Sequence, residues 1–246
     1  MRVPYADIDT VLLDVGNTLI SIDFDRVAGE LAARQWPCAP EALRRAEAAA
    51  RPGYSERVFV TGVRPDRSLF HSYLSAILDK ADGMAALAPD QLDALVTEVA
   101  PILRPEGRAN LLWRMVMPGV PAALERMQRQ GLTLAVVSNS DGTCAASLEE
   151  AGLLHYMNFV IDSADVGVEK PDPRIFQMAL VRGGTSPARS LYIGDLYHAD
   201  VVGGRGAGLH TLLLDPYGDW PAALDCDRAA DFSAVADRLE SARVNR

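Results

Sequence analysis

The chain has 246 residues, which is enough for one large α/β domain or for a core with a smaller second domain. Hydrophobic residues make up 49% and charged residues 23%, so the composition supports a packed core and excludes an intrinsically disordered chain. The formal net charge of −9 argues against nucleic acid or an anionic membrane surface as the main partner, but it leaves room for one locally positive, phosphate-binding pocket.

Short apolar runs in the sequence predict five buried parallel strands, at residues 10–13, 132–137, 159–161, 191–193 and 211–214. Amphipathic patterns predict helices between and after the later strands, at residues 121–130, 143–151, 173–182, 199–207 and 233–239. Strands that alternate with helices are typical of an open, Rossmann-like parallel sheet with helices on both faces. The fold class is therefore predicted to be α/β, with the chemistry beyond the carboxyl ends of the strands.

The interval between the first two predicted strands is much longer than the few residues that usually connect elements. From about residue 23 to residue 117 it is rich in helix-forming residues, and their spacing predicts helices at 26–34, 40–50, 67–78 and 89–100. We interpret this interval as an inserted helical domain. The predicted domains are residues 1–20 with 116–246 for the α/β core, and residues 21–115 for the helical insertion.

Polar residues begin where the first two predicted strands end. The first strand runs into Asp14 and the segment VGNTL at 15–19, where a Gly-Asn turn leaves the carboxylate exposed at the end of the sheet. A role in capping a turn explains Asp14 by itself equally well. The second strand runs into SNSDG at 138–142, just before a helix. Ser138, Asn139 and the free N–H groups there form an anion-binding arrangement, or an ordinary helix cap.

Two further polar segments follow the third and fourth predicted strands. Lys170 precedes PDP at 171–173, where two prolines restrict the backbone and begin a helix, so a functional role is favoured over a solvated surface charge. Asp195 and Asp200 follow the fourth strand, and two carboxylates at a strand end suit a hard cation such as Mg²⁺. A helix cap and a solvated acid explain this last segment equally well.

In their order and positions, these four segments resemble the four motifs of the haloacid dehalogenase superfamily of hydrolases. Asp14 matches the nucleophile of the first motif, and Ser138 matches the hydroxyl of the second. Lys170 matches the lysine of the third motif, and Asp195 with Asp200 matches the acidic fourth motif. The helical insertion matches the mobile cap domain of that family. Each motif by itself is common, but the ordered set is specific.

The resemblance implies a magnesium-dependent phosphatase that hydrolyses a small phosphorylated metabolite through an aspartyl-phosphate on Asp14. In such an enzyme Mg²⁺ would be bound by Asp14, Asp195 and the backbone carbonyl of Gly16. Asp200 would orient Lys170 or a metal-bound water. The cation and the ammonium would screen the repulsion between an anionic nucleophile and an anionic phosphate.

The resemblance also implies how the substrate is held. Ser138, Lys170 and the N–H of Asn139 would contact the transferring phosphoryl oxygens. The residues assigned to substrate binding are Gly16, Asn17, Thr18 and Asn139. Further candidates, all in the helical insertion, are predicted either to line the mouth of the site or to lie on solvated helix faces; they are Arg51, Tyr54, Arg57, Arg64 and His71.

One position departs from the family pattern. Phosphatases of the family usually carry a second aspartate two residues after the nucleophile, as general acid and base, and this chain has Gly16 there. The loss of a positioned general acid typically costs about 10²–10⁴ in rate. A phosphatase is then expected to be slow, to be limited to good leaving groups, or to receive its acid from the cap or from His198.

Two other functions remain open beside the phosphatase. A 2-haloacid dehalogenase also lacks the second aspartate, and Arg44 or Arg45 would assist it. Such enzymes need no metal, however, and lack the Gly-Asp pair that stands here at 194–195. The third alternative is a protein that binds a phosphorylated ligand without turnover.

The cysteines and the hydropathy pattern predict where the protein works. The chain has three widely spaced cysteines, which form neither a disulfide framework nor a zinc-binding pattern; they are Cys38, Cys144 and Cys226. No signal peptide and no apolar run of about 20 residues is visible in the sequence. We therefore expect a cytoplasmic protein whose partner is a small molecule rather than nucleic acid or a membrane.

Overall fold

The structure is a computed structural model that describes residues 2–61, 68–84, 86–105 and 112–244. The chain divides into two compact units, one of residues Met1–Ser21 with Arg114–Arg246 and one of residues Ile22–Trp113. We call the first the core unit and the second the helical unit.

In chain order the strands and helices are β1 (Thr10–Leu13), β2 (Ile20–Ile22), α1 (Phe24–Ala32), α2 (Pro40–Phe59), α3 (Leu69–Lys80), α4 (Pro89–Leu103), β3 (Trp113–Val116), α5 (Val120–Arg129), β4 (Thr133–Ser138), α6 (Cys144–Glu150), β5 (Phe159–Asp162), α7 (Ser163–Val166), α8 (Pro173–Gly183), β6 (Ser190–Gly194), α9 (Gly203–Gly206), β7 (His210–Leu214), β8 (Asp227–Ala229) and α10 (Phe232–Val244). A π-helical turn at Tyr197–Val202 precedes α9.

The core unit is built on a six-stranded parallel sheet with the strand order β5-β4-β1-β6-β7-β8, flanked by helices. This arrangement confirms the predicted α/β fold class, and each of the five predicted strands is confirmed. The chain builds β4 and β5 on one side of β1 and then crosses to β6 on the other side. The strand order therefore reverses beside β1, and ligands of open α/β sheets bind at such a point, beyond the carboxyl ends of the strands.

The sheet is held by apolar strands that are buried on both faces. Every residue of β1 and β6 is buried, as expected for central strands of a parallel sheet. On one face, Leu12 of β1 and Val137 of β4 pack in a cluster with Phe176 of α8 and Tyr192 of β6. The rings of Phe176 and Tyr192 meet edge-on with their centroids 4.9 Å apart. This packing places a phenol hydroxyl within an apolar cluster of the core unit.

Three strands of the structure have no counterpart among the predicted elements. β8 lies at the edge of the sheet beside β7, and its residues Asp227 and Arg228 lack the apolar character on which strand prediction depends. β2 and β3 form a separate two-stranded sheet. Strands of three or four residues are too short for a reliable alternating pattern.

Within the helical unit, α2 is longer than predicted. Pro52 and Gly53 predict an end near residue 50, whereas the helix continues to Phe59. A proline inside a helix removes a hydrogen bond and costs about 3 kcal/mol. The second half of α2 offsets this cost because Tyr54 and Ser55 are buried and α2 packs against α3.

The segment after β6 differs from the predicted helix at 199–207. It begins earlier, as the π-helical turn Tyr197–Val202, and only then continues as α9. The backbone N–H of Asp200 donates to Leu196 O at 2.8 Å, and the N–H of Leu196 donates to the Asp200 carboxylate at 2.8 Å. This reciprocal pair fixes the start of the segment, and π-helical turns are frequent at functional sites.

Among the residues that the structure describes, no helix combines the length and the apolar composition needed to cross a bilayer.

Candidate active site

The strand order brings the first, second and fourth polar segments together. In the register of the sheet, Leu13 of β1 lies between Val136 of β4 and Ile193 of β6. Asp14 follows Leu13, Ser138 ends β4, and Asp195 follows β6, so these three side chains share one edge of the sheet. All three are buried.

Asp14 is held in a fixed orientation by its neighbours. Its backbone N–H donates to Ile193 O at 2.9 Å, which extends the pairing of β1 with β6 by one residue. Its Oδ1 accepts hydrogen bonds from Ser138 Oγ at 3.1 Å and from Lys170 Nζ at 2.7 Å. None of the described residues donates a hydrogen bond to the other carboxylate oxygen, Oδ2. Oδ2 is therefore the oxygen that is available to a ligand.

Lys170 is the cation of the site, and its three N–H groups all have protein acceptors. Nζ donates to Asp14 Oδ1 at 2.7 Å, to Asp200 Oδ1 at 2.7 Å and to Tyr192 Oη at 2.8 Å. The lysine side chain is only 3% exposed. Three short bonds to a buried ammonium leave it little freedom of orientation.

The charges at this centre stabilise one another. Burial opposes the charge on Lys170, but the carboxylates of Asp14 and Asp200 outweigh burial and hold the pKa of Lys170 well above its usual value. Burial raises the pKa of Asp200, whereas Lys170 and the Leu196 N–H favour its ionised form. Because Lys170 stays protonated, we treat Lys170 and Asp200 as an ion pair. Burial also raises the pKa of Tyr192 well above its usual value, so its hydroxyl is neutral.

Asn139 binds the backbone of Lys170 through its side chain. Its Nδ2 donates to Lys170 O at 3.0 Å, and its Oδ1 accepts from Lys170 N at 2.7 Å. The resemblance assigns only the backbone N–H of Asn139 to the substrate. The amide side chain thus joins the second polar segment to the third, and it fixes the main chain from which Lys170 reaches the centre.

The loop that follows Asp14 turns back sharply. Asn17 has a positive φ of 51°, and its N–H donates to Ile20 O at 2.6 Å. The N–H groups of Leu19 and Ile20 both point at Val15 O, at 2.9 and 3.1 Å. Asn17 and Thr18, which the resemblance assigns to substrate binding, are buried in this turn. Gly16 lies within it and offers only its backbone.

The acidic residues at the edge of the sheet form a set suited to a hard cation. Carboxylate oxygens of Asp14, Asp195 and Asp200 all lie within 4.8 Å of one another. Three carboxylates and the single ammonium of Lys170 leave a formal charge of −2 in a buried region. A divalent cation that prefers oxygen ligands, such as Mg²⁺, fits both this donor set and this charge. Because both oxygens of Asp200 already accept protein N–H groups, Asp14 and Asp195 are the better ligands.

Two residues of the site were missed by sequence reasoning. Tyr192 stands in an apolar run, so its sequence context predicts a buried strand residue and gives no sign of a contact with Lys170. Asp162, at the end of β5, accepts backbone N–H groups from Gly142, Cys144 and Ala164 at 3.0, 3.1 and 3.0 Å. The available signal for Asp162 is a carboxylate that directly follows the strand predicted at 159–161.

Three of the candidates in the helical insertion are buried within that unit. Arg51 donates two hydrogen bonds to Glu47, at 2.7 and 2.6 Å, and both side chains are buried. His71 is also buried, with Nε2 at 3.3 Å from Thr97 Oγ1. Tyr54 is buried and packs edge-on against Tyr73. Of the remaining candidates, Arg57 is exposed, and Arg64 lies outside the described residues.

Comparison with known proteins places the chain in a family. The family profile described as haloacid dehalogenase-like hydrolase matches residues 8–208. Haloacid dehalogenase-like hydrolase domain-containing protein 3 of Mus musculus is 38% identical over 119 residues, or 48% of this chain and 47% of the relative. The ribulose-1,5-bisphosphate 5-phosphatase of Halopiger xanaduensis is 34% identical over 116 residues, or 47% of this chain and 48% of the relative. The matched part thus spans about half the length of these curated relatives.

Solved structures share the fold over nearly the whole chain. The HAD hydrolase YfnB of Bacillus subtilis, solved with bound magnesium, has a TM-score of 0.65 at 20% identity, covering 94% of this chain and 98% of that one. Structures of 2-haloacid dehalogenases share the fold as well. At this level of identity the likeness concerns the fold alone. The family profile, however, extends over most of the sequence, and this protein therefore belongs to the haloacid dehalogenase-like hydrolases.

Proposed function

We propose that this hydrolase is a magnesium-dependent phosphatase of small phosphorylated metabolites. The proposal rests on the hydrogen bonding of Asp14. Its Oδ1 accepts hydrogen bonds from Ser138 and Lys170, whereas no described residue donates a hydrogen bond to its Oδ2. A carboxylate oriented in this way suits in-line attack on phosphorus by Oδ2. The phosphatase name of the Halopiger xanaduensis relative supports the same reaction class.

In the proposed reaction Asp14 Oδ2 forms a bond to phosphorus, and the bond from phosphorus to the leaving oxygen breaks. Water then attacks the aspartyl-phosphate and releases phosphate. Ser138 and Lys170 lie beside the attacking carboxylate, where a hydroxyl and an ammonium stabilise negative charge on the transferring group. Asp195 and Asp14, with the Gly16 carbonyl, would bind Mg²⁺, which when bound lowers the repulsion between nucleophile and phosphate.

The glycine at position 16 shapes the proposed activity. The backbone oxygen of Gly16 can coordinate a cation, but the residue has no side chain that could protonate a leaving group. We therefore expect the enzyme to favour substrates whose leaving group needs no proton, and to be slow on simple alkyl phosphates. The helical unit, inserted between β2 and β3, is proposed to act as a mobile cap that selects the substrate.

The proposed setting is the cytoplasm. Cys38, Cys144 and Cys226 are free thiols, and cytoplasmic proteins keep their cysteines reduced.

The first test is hydrolysis of p-nitrophenyl phosphate, a substrate with a good leaving group, with Mg²⁺ or with EDTA. We expect turnover with Mg²⁺ that EDTA abolishes, and a loss of at least about 10³-fold in Asp14→Asn, because the nucleophile is removed. Asp90→Asn, an exposed acid of α4, is the matched control and should retain activity. Release of halide from 2-chloropropionate without metal would instead identify a dehalogenase. Turnover that survives in Asp14→Asn would refute the assignment of the nucleophile.

A further inference from the structure

Tyr192 occupies an unusual position for a tyrosine. Among the described residues it is the largest fully buried side chain, and it lies on β6 in the centre of the sheet, packed among Leu12, Val137 and Phe176. A hydroxyl in such surroundings is costly unless it is hydrogen-bonded. Phenylalanine would fill nearly the same space without that requirement, so packing accounts for the ring but not for the hydroxyl.

Both hydrogen-bonding functions of the Tyr192 hydroxyl are used. It donates its proton to Val137 O at 2.7 Å and accepts a proton from Lys170 Nζ at 2.8 Å. Because the proton is committed to a carbonyl of β4, the lone pairs of Oη face the ammonium. The contact therefore has one direction: the lysine donates and the tyrosine accepts.

We propose that Tyr192 is a positioning residue that holds the ammonium of Lys170 against the nucleophile. The ammonium sits on a flexible four-carbon chain, and three acceptors are needed to fix its orientation. Asp200 and Tyr192 take two of its N–H groups, and the third points at Asp14. The hydrogen bonds to Asp200 and Tyr192 fix the position of Nζ. The third N–H group is therefore held in the direction of the reacting carboxylate. The catalytic part of this inference rests on the phosphatase function proposed above.

The main chain of Lys170 is held as well. Asn139 binds both its N–H and its carbonyl, at 2.7 and 3.0 Å, from the end of β4. The backbone of the lysine is thus fixed by β4, while its ammonium is fixed by Tyr192 of β6. A neutral third acceptor completes the coordination of the ammonium without adding another negative charge to a region that already holds Asp14, Asp195 and Asp200.

The kinetic test is Tyr192→Phe, which keeps the ring and removes the acceptor. We expect kcat on p-nitrophenyl phosphate to fall about ten- to hundredfold, the effect of losing one hydrogen bond to a charged group, while KM changes less than about threefold. Tyr5→Phe is the matched control, since it also removes a hydrogen-bonded, partly buried hydroxyl, one that contacts Asp227 instead. An unchanged kcat in Tyr192→Phe, or an equal loss in Tyr5→Phe, would refute the positioning role.

A second measurement does not depend on activity. The chain has two lysines, Lys80 and Lys170, so a ¹⁵N-lysine spectrum of the ammonium groups is readily assigned with Lys80→Arg. In the wild type we expect slow proton exchange at Lys170 Nζ and a cross-peak between its protons and the Tyr192 hydroxyl proton. Tyr192→Phe should shift the Lys170 signal and speed its exchange, and Tyr5→Phe should not.

The two measurements separate the possible failures. A wild-type enzyme that hydrolyses no phosphate ester, but in which the Lys170 signal responds to Tyr192→Phe, would refute the phosphatase function and leave the contact established. A Lys170 signal that is indifferent to Tyr192→Phe would refute the inference even in an active phosphatase. If Tyr192→Phe does not fold, the contact is tested by the wild-type cross-peak between the Lys170 Nζ protons and the Tyr192 hydroxyl proton. The absence of that cross-peak would overturn the inference.

Discussion

At the scale of single residues, the site depends on a very close approach between Gly194 and Asp200. A Cβ atom placed on Gly194 would lie 2.3 Å from the carboxyl carbon of Asp200 and 2.3 Å from its Oδ2. Asp200 cannot move aside freely, because its two oxygens bind Lys170 and the N–H of Leu196. Glycine at this position is therefore a requirement of the ion pair.

We predict that Gly194→Ala displaces Asp200 and disrupts the site. The free energy of unfolding should fall by about 1–3 kcal/mol, as for other overpacked core positions. The kcat/KM value on p-nitrophenyl phosphate should fall by about tenfold or more, since Asp200 no longer holds Lys170. Urea unfolding and steady-state kinetics measure the two effects. Gly29→Ala, in α1 with no atom within 4 Å of the added methyl, is the control and should be neutral or slightly stabilising. Wild-type activity in Gly194→Ala would contradict the prediction.

At the scale of elements, loops after neighbouring strands are tied together by side chains at the strand ends. Asp162 of β5 binds the N–H groups of Gly142 and Cys144, which follow β4, and that of Ala164 at the start of α7. Ser163 Oγ contacts the same loop, accepting from Ser140 N at 3.1 Å and donating to its carbonyl at 3.2 Å. The segment that carries Ser138 and Asn139 is thus shaped by β5 as well as by its own sequence.

We predict that Asp162→Ala loosens this loop. Three N–H groups lose their acceptor, and the free energy of unfolding should fall by about 2–3 kcal/mol. KM for p-nitrophenyl phosphate should rise, because the loop beside the phosphoryl group is no longer fixed. Asp165→Ala removes an exposed acid three residues away and serves as the control. Equal unfolding curves for the two variants would show that Asp162 does not organise the loop.

At the scale of the whole molecule, the acidic site is predicted to couple metal binding to stability. The protein carries a formal charge of −9, and the buried cluster of Asp14, Asp195 and Asp200 adds local repulsion that Lys170 offsets only in part. A cation that binds the folded state and not the unfolded chain stabilises the fold by mass action.

We predict that Mg²⁺ raises the melting temperature. At about ten times its Kd the stabilisation is about 1.4 kcal/mol, or roughly 3–6 °C for a protein of this size. Thermal unfolding with Mg²⁺ and with EDTA measures the shift, which Asp195→Asn should abolish and Asp90→Asn should preserve. An identical shift in Asp195→Asn would place the cation elsewhere.

Much of the fold and the order of the motifs follow from local sequence. Runs such as 10–13 and 191–193 are apolar on both faces, which a central parallel strand requires, and their ends are marked by Asp14 and Asp195. Strand ends at one edge of a parallel sheet converge, so the proximity of these carboxylates was predictable before any contact was known. Local sequence did not predict the edge strand β8, because its residues are mostly polar. It also predicted too early an end for α2, because Pro52 normally interrupts a helix.

The sequence by itself determined the α/β class, the five main strands and the residue types available at their ends, because periodicity and strand length are local properties. Only the tertiary structure decided which groups bind one another. Lys170 and Asp14 are 156 positions apart, and Tyr192 and Val137 are 55 apart, so no local pattern couples them. Their contacts arise from the strand order β4-β1-β6, which brings distant carbonyl, hydroxyl and carboxylate groups around one buried ammonium.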